Sequence, residues 1–116
     1  MSEGKEQALI FKWASEKGVE DGRYKMLYAV PNGLKTPNAR IAARAVAEGL
    51  KKGFPDMCLD VPVGGYHGLR IELKVGKNKT SKFQDKWIER LRSFGYRVEV
   101  CYGSDAAMKV IDDYLQ

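Results

Sequence analysis

Cysteine and histidine are scarce in this chain. Its 116 residues include two cysteines, Cys58 and Cys101, and a single histidine, His67. Each cysteine sits in an apolar stretch, which fits buried free thiols in a reducing compartment better than a disulfide framework. Three such residues at these positions offer no zinc-ligand spacing. Only four prolines occur, and no repeat, low-complexity run or long linker divides the sequence. Long apolar runs are also missing: charges interrupt each one well short of the roughly 20 residues a membrane span needs. The opening Met1-Ser2-Glu3-Gly4-Lys5-Glu6 lacks the basic-then-apolar layout of a signal peptide. These absences predict one soluble domain, with no membrane partner, that stays in the compartment where it is made.

What is present is ordinary globular material, 44% hydrophobic and 30% charged, with a mean hydropathy of -0.42. A chain of this length has room for one core and not two. Twenty Lys+Arg against fifteen Asp+Glu leaves a net charge of +5, a modest excess that suits a polyanionic partner.

Periodicity divides the chain into eight elements. Glu6 to Lys17 reads as a helix, with Leu9, Ile10, Trp13 and Ala14 at helical spacing and Gly18 as its stop. Tyr24 to Val30 reads as a strand, broken by the turn Pro31-Asn32-Gly33. Asn38 caps a second helix reaching about Lys52, with Ile41, Ala42, Ala45, Val46 and Gly49 as its inward row. Met57 to Val61 and about Tyr66 to Val75 are strands, and Gly64-Gly65 between them favours a hairpin. Ser81 opens a third helix through Arg92, with Phe83, Trp87, Ile88 and Leu91 inward. Arg97 to Tyr102 is a fourth strand, and Ser104 or Asp105 caps a last helix to about Tyr114. The order α-β-α-β-β-α-β-α predicts an α/β fold: a mixed central sheet flanked by helices, antiparallel at the central hairpin and parallel across the third helix.

The segment Leu69-Arg70-Ile71-Glu72-Leu73-Lys74-Val75 alternates strictly. Arg70, Glu72 and Lys74 share one face, with successive Cβ atoms roughly 7 Å apart by strand rise. Alternation alone describes a solvated outer face, but a mid-chain strand with helices available for both sides should be central. Its charges then line a cleft or are buried. Gly53-Phe54-Pro55-Asp56 delivers a carboxylate to the start of the preceding strand, where a hairpin sets Asp56 beside Glu72. Asp56 also suits a helix-to-strand turn. If the two carboxylates are neighbours they repel, and a divalent cation is the usual compensation.

Pro55-Asp56 followed by Glu72-Leu73-Lys74 resembles the core motif of the PD-(D/E)XK nuclease superfamily. Gly53-x-Pro55-Asp56, Glu72-Leu73-Lys74, Ser81-x-x-Gln84 and Gly95-Tyr96-x-Val98 together resemble the VRR-NUC domain, over Glu6 to about Tyr102. The resemblance implies a restriction-endonuclease-like core and metal-dependent hydrolysis of DNA phosphodiester bonds. It implies Asp56, Glu72 and the Leu73 carbonyl as ligands for Mg²⁺ or Mn²⁺, with Lys74 polarising the attacking water and offsetting charge on the scissile phosphate. It places Gln84 at the site. Ser81-x-x-Gln84 is equally a capping box, and both roles hold if that helix start abuts the metal. A glutamate of the first helix belongs to the same set. Glu6 fits, either as a supporting site carboxylate or as an exposed first-turn residue, and Glu3 is the alternative.

Basic residues supply the substrate side. Arg40, Arg44 and Lys51 form one outward row of the second helix, Lys52 follows, and Lys77, Lys79 and Lys82 flank the strand-to-helix turn. Singly these are surface charges; flanking a carboxylate cluster they make sense as phosphate contacts. His67, Trp13, Trp87 and Tyr96 read as structural residues. The resemblance further implies a stand-alone module of phages and bacteria, in the cytoplasm, acting as a homodimer on branched DNA such as a four-way junction. The second helix, through Ala42, Ala43 and Ala47, or the Tyr24 to Val30 edge, through Tyr24 and Tyr28, would form the interface. The competing functions are a non-catalytic nucleic-acid-binding module of similar fold and a nuclease that acts on flaps or nicks instead of junctions.

Overall fold

Strict alternation in the middle of the chain builds the sheet, and helical stripes on either side cover it. The computed structural model describes residues 2–31 and 38–116. Helix α1 spans Glu3–Lys17, strand β1 Leu27–Ala29, α2 Ala39–Ala47, β2 Met57–Leu59, β3 Leu69–Lys74, α3 Lys82–Ser93, β4 Arg97–Tyr102 and α4 Ser104–Leu115. The sheet order is β1-β2-β3-β4. β1 and β2 are antiparallel, as are β2 and β3, whereas β3 and β4 run parallel across the α3 crossover. The element order and mixed sheet are those read from the sequence.

The two faces of β3 divide the interior. Leu69, Ile71 and Leu73 face Ile10 and Ala14 of α1 and Ala107, Ile111, Tyr114 and Leu115 of α4, forming the larger core. On the other face α3 packs Ile88 and Leu91 against Val98, with Trp87, Phe54, Tyr96 and Val100 around them. Register pairs Arg70 with Val98 and Glu72 with Val100, so the charged row of β3 shares the face that α3 covers. All six residues of β3 are buried, as expected of a central strand and not of a solvated edge.

Four expectations are corrected. The strand placed over Tyr24 to Val30 contracts to Leu27–Ala29, because Gly22–Met26 winds into a 3₁₀ helix. Tyr24 turns into the larger core, where its hydroxyl donates to Asp112 at 2.6 Å and its ring meets Trp13 edge-on. α2 stops at Ala47, well before Lys52, and none of its residues is buried. The inward row assigned to it does not reach the core: Ile41 and Val46 are exposed. Phe83, placed inward with Trp87, is 50% exposed. The long strand from Tyr66 begins only at Leu69, since Gly64 and Gly65 lead into a tight turn closed by a Val63–Tyr66 bridge. Asn32 and Gly33 of the Pro31-Asn32-Gly33 turn lie outside the described residues.

Candidate active site

An antiparallel hairpin brings the start of one strand to the end of the next. Met57 pairs with Ile71, and one step further along that register Asp56 stands opposite Glu72. The Leu73 N–H, which has run past the end of β2, donates to Asp56 Oδ2 at 2.7 Å. That bond fixes the orientation of the carboxylate. In a strand, the N–H and C=O of a residue leave the same edge, so the Leu73 carbonyl is directed to the Asp56 side as well.

Glu72 is 2% exposed, and its Oε1 has no hydrogen-bond partner. A buried, unpaired carboxylate is costly. Burial, then the Asp56 carboxyl as hydrogen-bond partner and like charge, push the Glu72 acid up to about 9; Lys74 opposes this and Glu3 adds to it. In the absence of a counter-charge, burial and the neighbouring Asp56 favour the protonated form of Glu72. Lys74, two residues on and on the same face, is 8% exposed. Its backbone carbonyl accepts from Gly103 N–H at 2.9 Å, which ties the end of β3 to the start of α4.

Two further elements close around this group. Ser81 and Gln84 form the complete capping box: Ser81 N–H donates to Gln84 Oε1 at 2.8 Å, and Gln84 N–H donates to Ser81 Oγ at 3.2 Å. The box does not remove Gln84 from the neighbourhood, because Gly53 packs directly on that turn. A Cβ at Gly53, whose φ is +85°, would lie 2.6 Å from the Phe83 carbonyl carbon and 2.8 Å from Gln84 N. Only glycine allows that approach. The loop that leads to Asp56 is thus pressed against the start of α3 at Gly53, while the Gln84 side chain is engaged in the cap.

The two first-helix glutamates separate. Glu6 binds the start of α4, with Ser104 N–H donating to Oε1 at 3.4 Å and Ser104 Oγ to Oε2 at 3.3 Å. Glu3, the alternative, is the one whose charge acts on Glu72. Both stand near the end of β3, in different roles. The sequence offers Ser104 only as a cap; in the structure Gly103 takes the cap position and the Ser104 side chain turns to Glu6. Nothing in local sequence couples residues 98 positions apart.

Arg70, the third charge of the row, is already committed. It pairs with Asp60 at 2.8 Å, donates to the Leu69 carbonyl at 3.1 Å and lies 4.5 Å from the Tyr96 ring. Tyr28 supports Asp60 with a 2.8 Å hydrogen bond. Arg70 is a structural clamp, and Lys74 is the cation left beside the carboxylates. His67 lies at the surface, where its backbone N–H donates to Gly95 O at 2.9 Å and its ring meets Tyr96 edge-on.

Among the basic candidates, Lys51 and Lys52 precede Gly53 and so lie at the α3 start, where Lys52 Nζ sits 4.5 Å over the Phe83 ring. Lys77, Lys79 and Lys82 are exposed around the β3–α3 turn. Arg40 and Arg44 lie on α2, and Arg44 pairs with Glu48 at 3.2 Å. The sequence reading missed one stripe: Lys86 and Arg90 follow Lys82 at intervals of four, which is one face of a helix.

Among the described residues no three His, Cys, Asp or Glu side chains gather as a metal cluster. The oxygen atoms that this end of β3 could offer are the Asp56 and Glu72 carboxylates and the Leu73 carbonyl, and that set is a chemistry of oxygen donors alone. It fits a hard divalent cation that retains several waters, and the orphaned Glu72 Oε1 is the atom such a cation would satisfy.

A family model described as the VRR-NUC domain matches residues 1–105. A solved structure described as "VRR_NUC domain protein" superposes with a TM-score of 0.83 at 28% identity, over 99% of this chain and 88% of that one. No curated protein matches significantly.

Proposed function

The chain belongs to the VRR-NUC domain family, and from that premise we propose that it is a divalent-metal-dependent endonuclease hydrolysing DNA phosphodiester bonds. The observation that carries this is the buried Glu72, its Oε1 unpartnered, beside Asp56 and on one strand face with Lys74. A purely binding domain has no use for two adjacent carboxylates facing a polyanion, since they repel phosphate.

Asp56, Glu72 and the Leu73 carbonyl would hold Mg²⁺ or Mn²⁺. When bound, such a cation lowers the pKa of its water and offsets phosphate charge. The chain's own groups do the rest. Asp56 is oriented by the Leu73 N–H before any ligand arrives. Glu72 would serve as a ligand in its ionised form, its proton lost to solvent water, with the positive charge of the cation offsetting its burial. Lys74 holds the attacking water on the Glu72 face and counters charge that grows on the phosphate oxygens. Gln84, anchored by its cap, fixes the distance between the Asp56 loop and α3. Glu6 and Ser104 brace the end of β3. Lys51, Lys52, Lys77, Lys79 and Lys82 contact flanking phosphates, with Arg40 and Arg44 extending the track.

The further reading is a homodimer acting on branched DNA. A four-way junction needs two cuts related by two-fold symmetry, and a C2 dimer supplies two sites in that relation. The exposed face of α2, with Ile41 and Val46, supports the candidate interface.

The test is a cleavage assay with Mg²⁺ and with Mn²⁺ on junction, flap and linear duplex DNA side by side, with Lys74→Ala as control. Cleavage by the wild type and none by a folded Lys74→Ala is expected. Wild-type rates from that variant would refute the site. A monomer by light scattering, with and without DNA, or equal cutting of junction and duplex, would remove the junction-resolving reading.

A further inference from the structure

Two half-exposed aromatic rings stand at this site and are used by nothing in the mechanism above. Register pairs Tyr102 with Lys74. In a parallel pair such partners leave the same face, roughly 5 Å apart at strand spacing. The Tyr102 hydroxyl is already engaged, donating to the Asn78 carbonyl at 2.9 Å. What it leaves free is the ring, 50% exposed and held in place by that bond. Phe83 lies on the other side. Its backbone is clamped on Gly53, three residues before Asp56, and its ring is also 50% exposed, with Lys52 over it at 4.5 Å.

Neither ring is explained by the core. The smaller core closes with Ile88, Leu91 and Val98, and Trp87 reaches Phe54 without Phe83. Half-exposed aromatic rings among lysines, one of which already lies over the Phe83 ring, match one kind of ligand. Nucleobases have flat apolar faces and are carried on a polyanionic backbone, and aromatic rings within a basic groove are the usual means of holding them. The surrounding Lys51, Lys52, Lys77, Lys79 and Lys82 supply that charge. A base within a duplex presents only its edges, so a ring can stack on a base only where it is unpaired.

We propose that Phe83 and Tyr102 stack on nucleobases unpaired at a branch point next to the scissile phosphate, so that the site binds branched DNA exposing such a base more tightly than a fully paired arm. The ligand rests on the nuclease reading, but the contact is measured without cleavage. Phe94 is an internal control: it is 73% exposed but sits at the opposite end of α3, about 16 Å along the helix from Phe83.

The experiment is a cycle between protein and DNA. Lys74→Ala protein, which does not turn over, is titrated in Mg²⁺ by fluorescence anisotropy with a duplex carrying a short single-stranded arm. Two forms are compared, with adenine or an abasic residue at the first unpaired position. The adenine form should bind roughly tenfold tighter, within the range of one base–aromatic stack. Adding Phe83→Ala or Tyr102→Ala should weaken the adenine form by about that factor and the abasic form little. Phe83→Trp should restore the preference, and Phe94→Ala should leave it intact. Phe83→Leu, which keeps the apolar contact to Lys52, should lose it like alanine. Equal binding of the two DNAs by the parent, including no measurable binding to either, overturns the proposal. So does a loss that is the same for both DNAs, or one that Phe94→Ala reproduces. Failure of the wild type to cut any DNA would sink the nuclease reading and leave this cycle scorable.

Discussion

Replacing Glu72 by glutamine should abolish cleavage and, in the absence of metal, make the protein more stable. Glutamine matches glutamate in shape and carries no charge to bury. The Glu72 acid is raised from its ordinary 4.5 to about 9, with burial as the largest cause and Asp56 next. An acid raised on folding keeps its proton in the folded state where the unfolded chain has lost it. Stability is therefore full below about 4.5, declines as pH rises and levels off only above about 9. Each pH unit inside that window costs about 1.4 kcal/mol, so at pH 7 the metal-free wild type gives up about 3 kcal/mol relative to acid conditions. This figure depends only on the folded value lying above 7. Glu72→Gln does not bear that cost. In EDTA at pH 7 its Tm should exceed the wild type's by roughly 10 °C, and the two should converge near pH 4. Mg²⁺ or Mn²⁺ should narrow or reverse the gap if the ionised Glu72 is one of its ligands, because binding to the folded state then stabilises the wild type more than the variant. The assay is thermal melting from pH 4 to 9 with EDTA or metal. A glutamine variant no more stable than wild type at pH 7 in EDTA would show that Glu72 is not a buried charge in waiting.

Three other outcomes are expected. Divalent cation should raise the wild-type melting temperature, and Asp56→Asn should remove most of the rise; an equal rise in the variant would place the ion elsewhere. A Lys51, Lys52, Lys79 triple alanine variant should bind DNA with a shallower slope of log K against log salt, by roughly one for each phosphate that the variant no longer neutralises; an unchanged slope would move the DNA to another surface. Gly53→Ala should cost more than about 1 kcal/mol by chemical denaturation, from its positive φ and the 2.6 Å approach to Phe83, and should reduce cleavage by displacing Asp56; a neutral effect on both would separate the loop from α3.

Much of this was legible in the chain because its strongest patterns are local. Alternation from Leu69 to Lys74 fixes which side chains share a face, and Arg97–Tyr102 has the bounds the sequence indicates. The Ser81–Gln84 box marks the α3 start for the same reason. Sequence and structure part where tertiary packing overrides periodicity. Tyr24 alternates like a strand residue, yet its hydroxyl is claimed by Asp112, 88 positions away. The apolar stripe of α2 is a sound helical signal, yet it reaches no core. For the site, the pair and its lysine follow from spacing once the hairpin is granted. The division of labour between Glu3 and Glu6 does not, since it depends on Ser104 at the far end of the chain.

The hairpin that assembles the site is closed at its other end. Chain reversal between β2 and β3 lies over residues 60–68, whereas Asp56 and Glu72 face each other at the open end. A hairpin that zips from its turn brings these acids together last. The cost of burying the Glu72 acid beside Asp56 then falls on the finished rung and not on the barrier, which places it in the unfolding rate. In kinetic terms such a hairpin has a loose latch, and a cation held there would act as a closing pin, lengthening the lifetime of the native state and leaving the speed of folding unchanged.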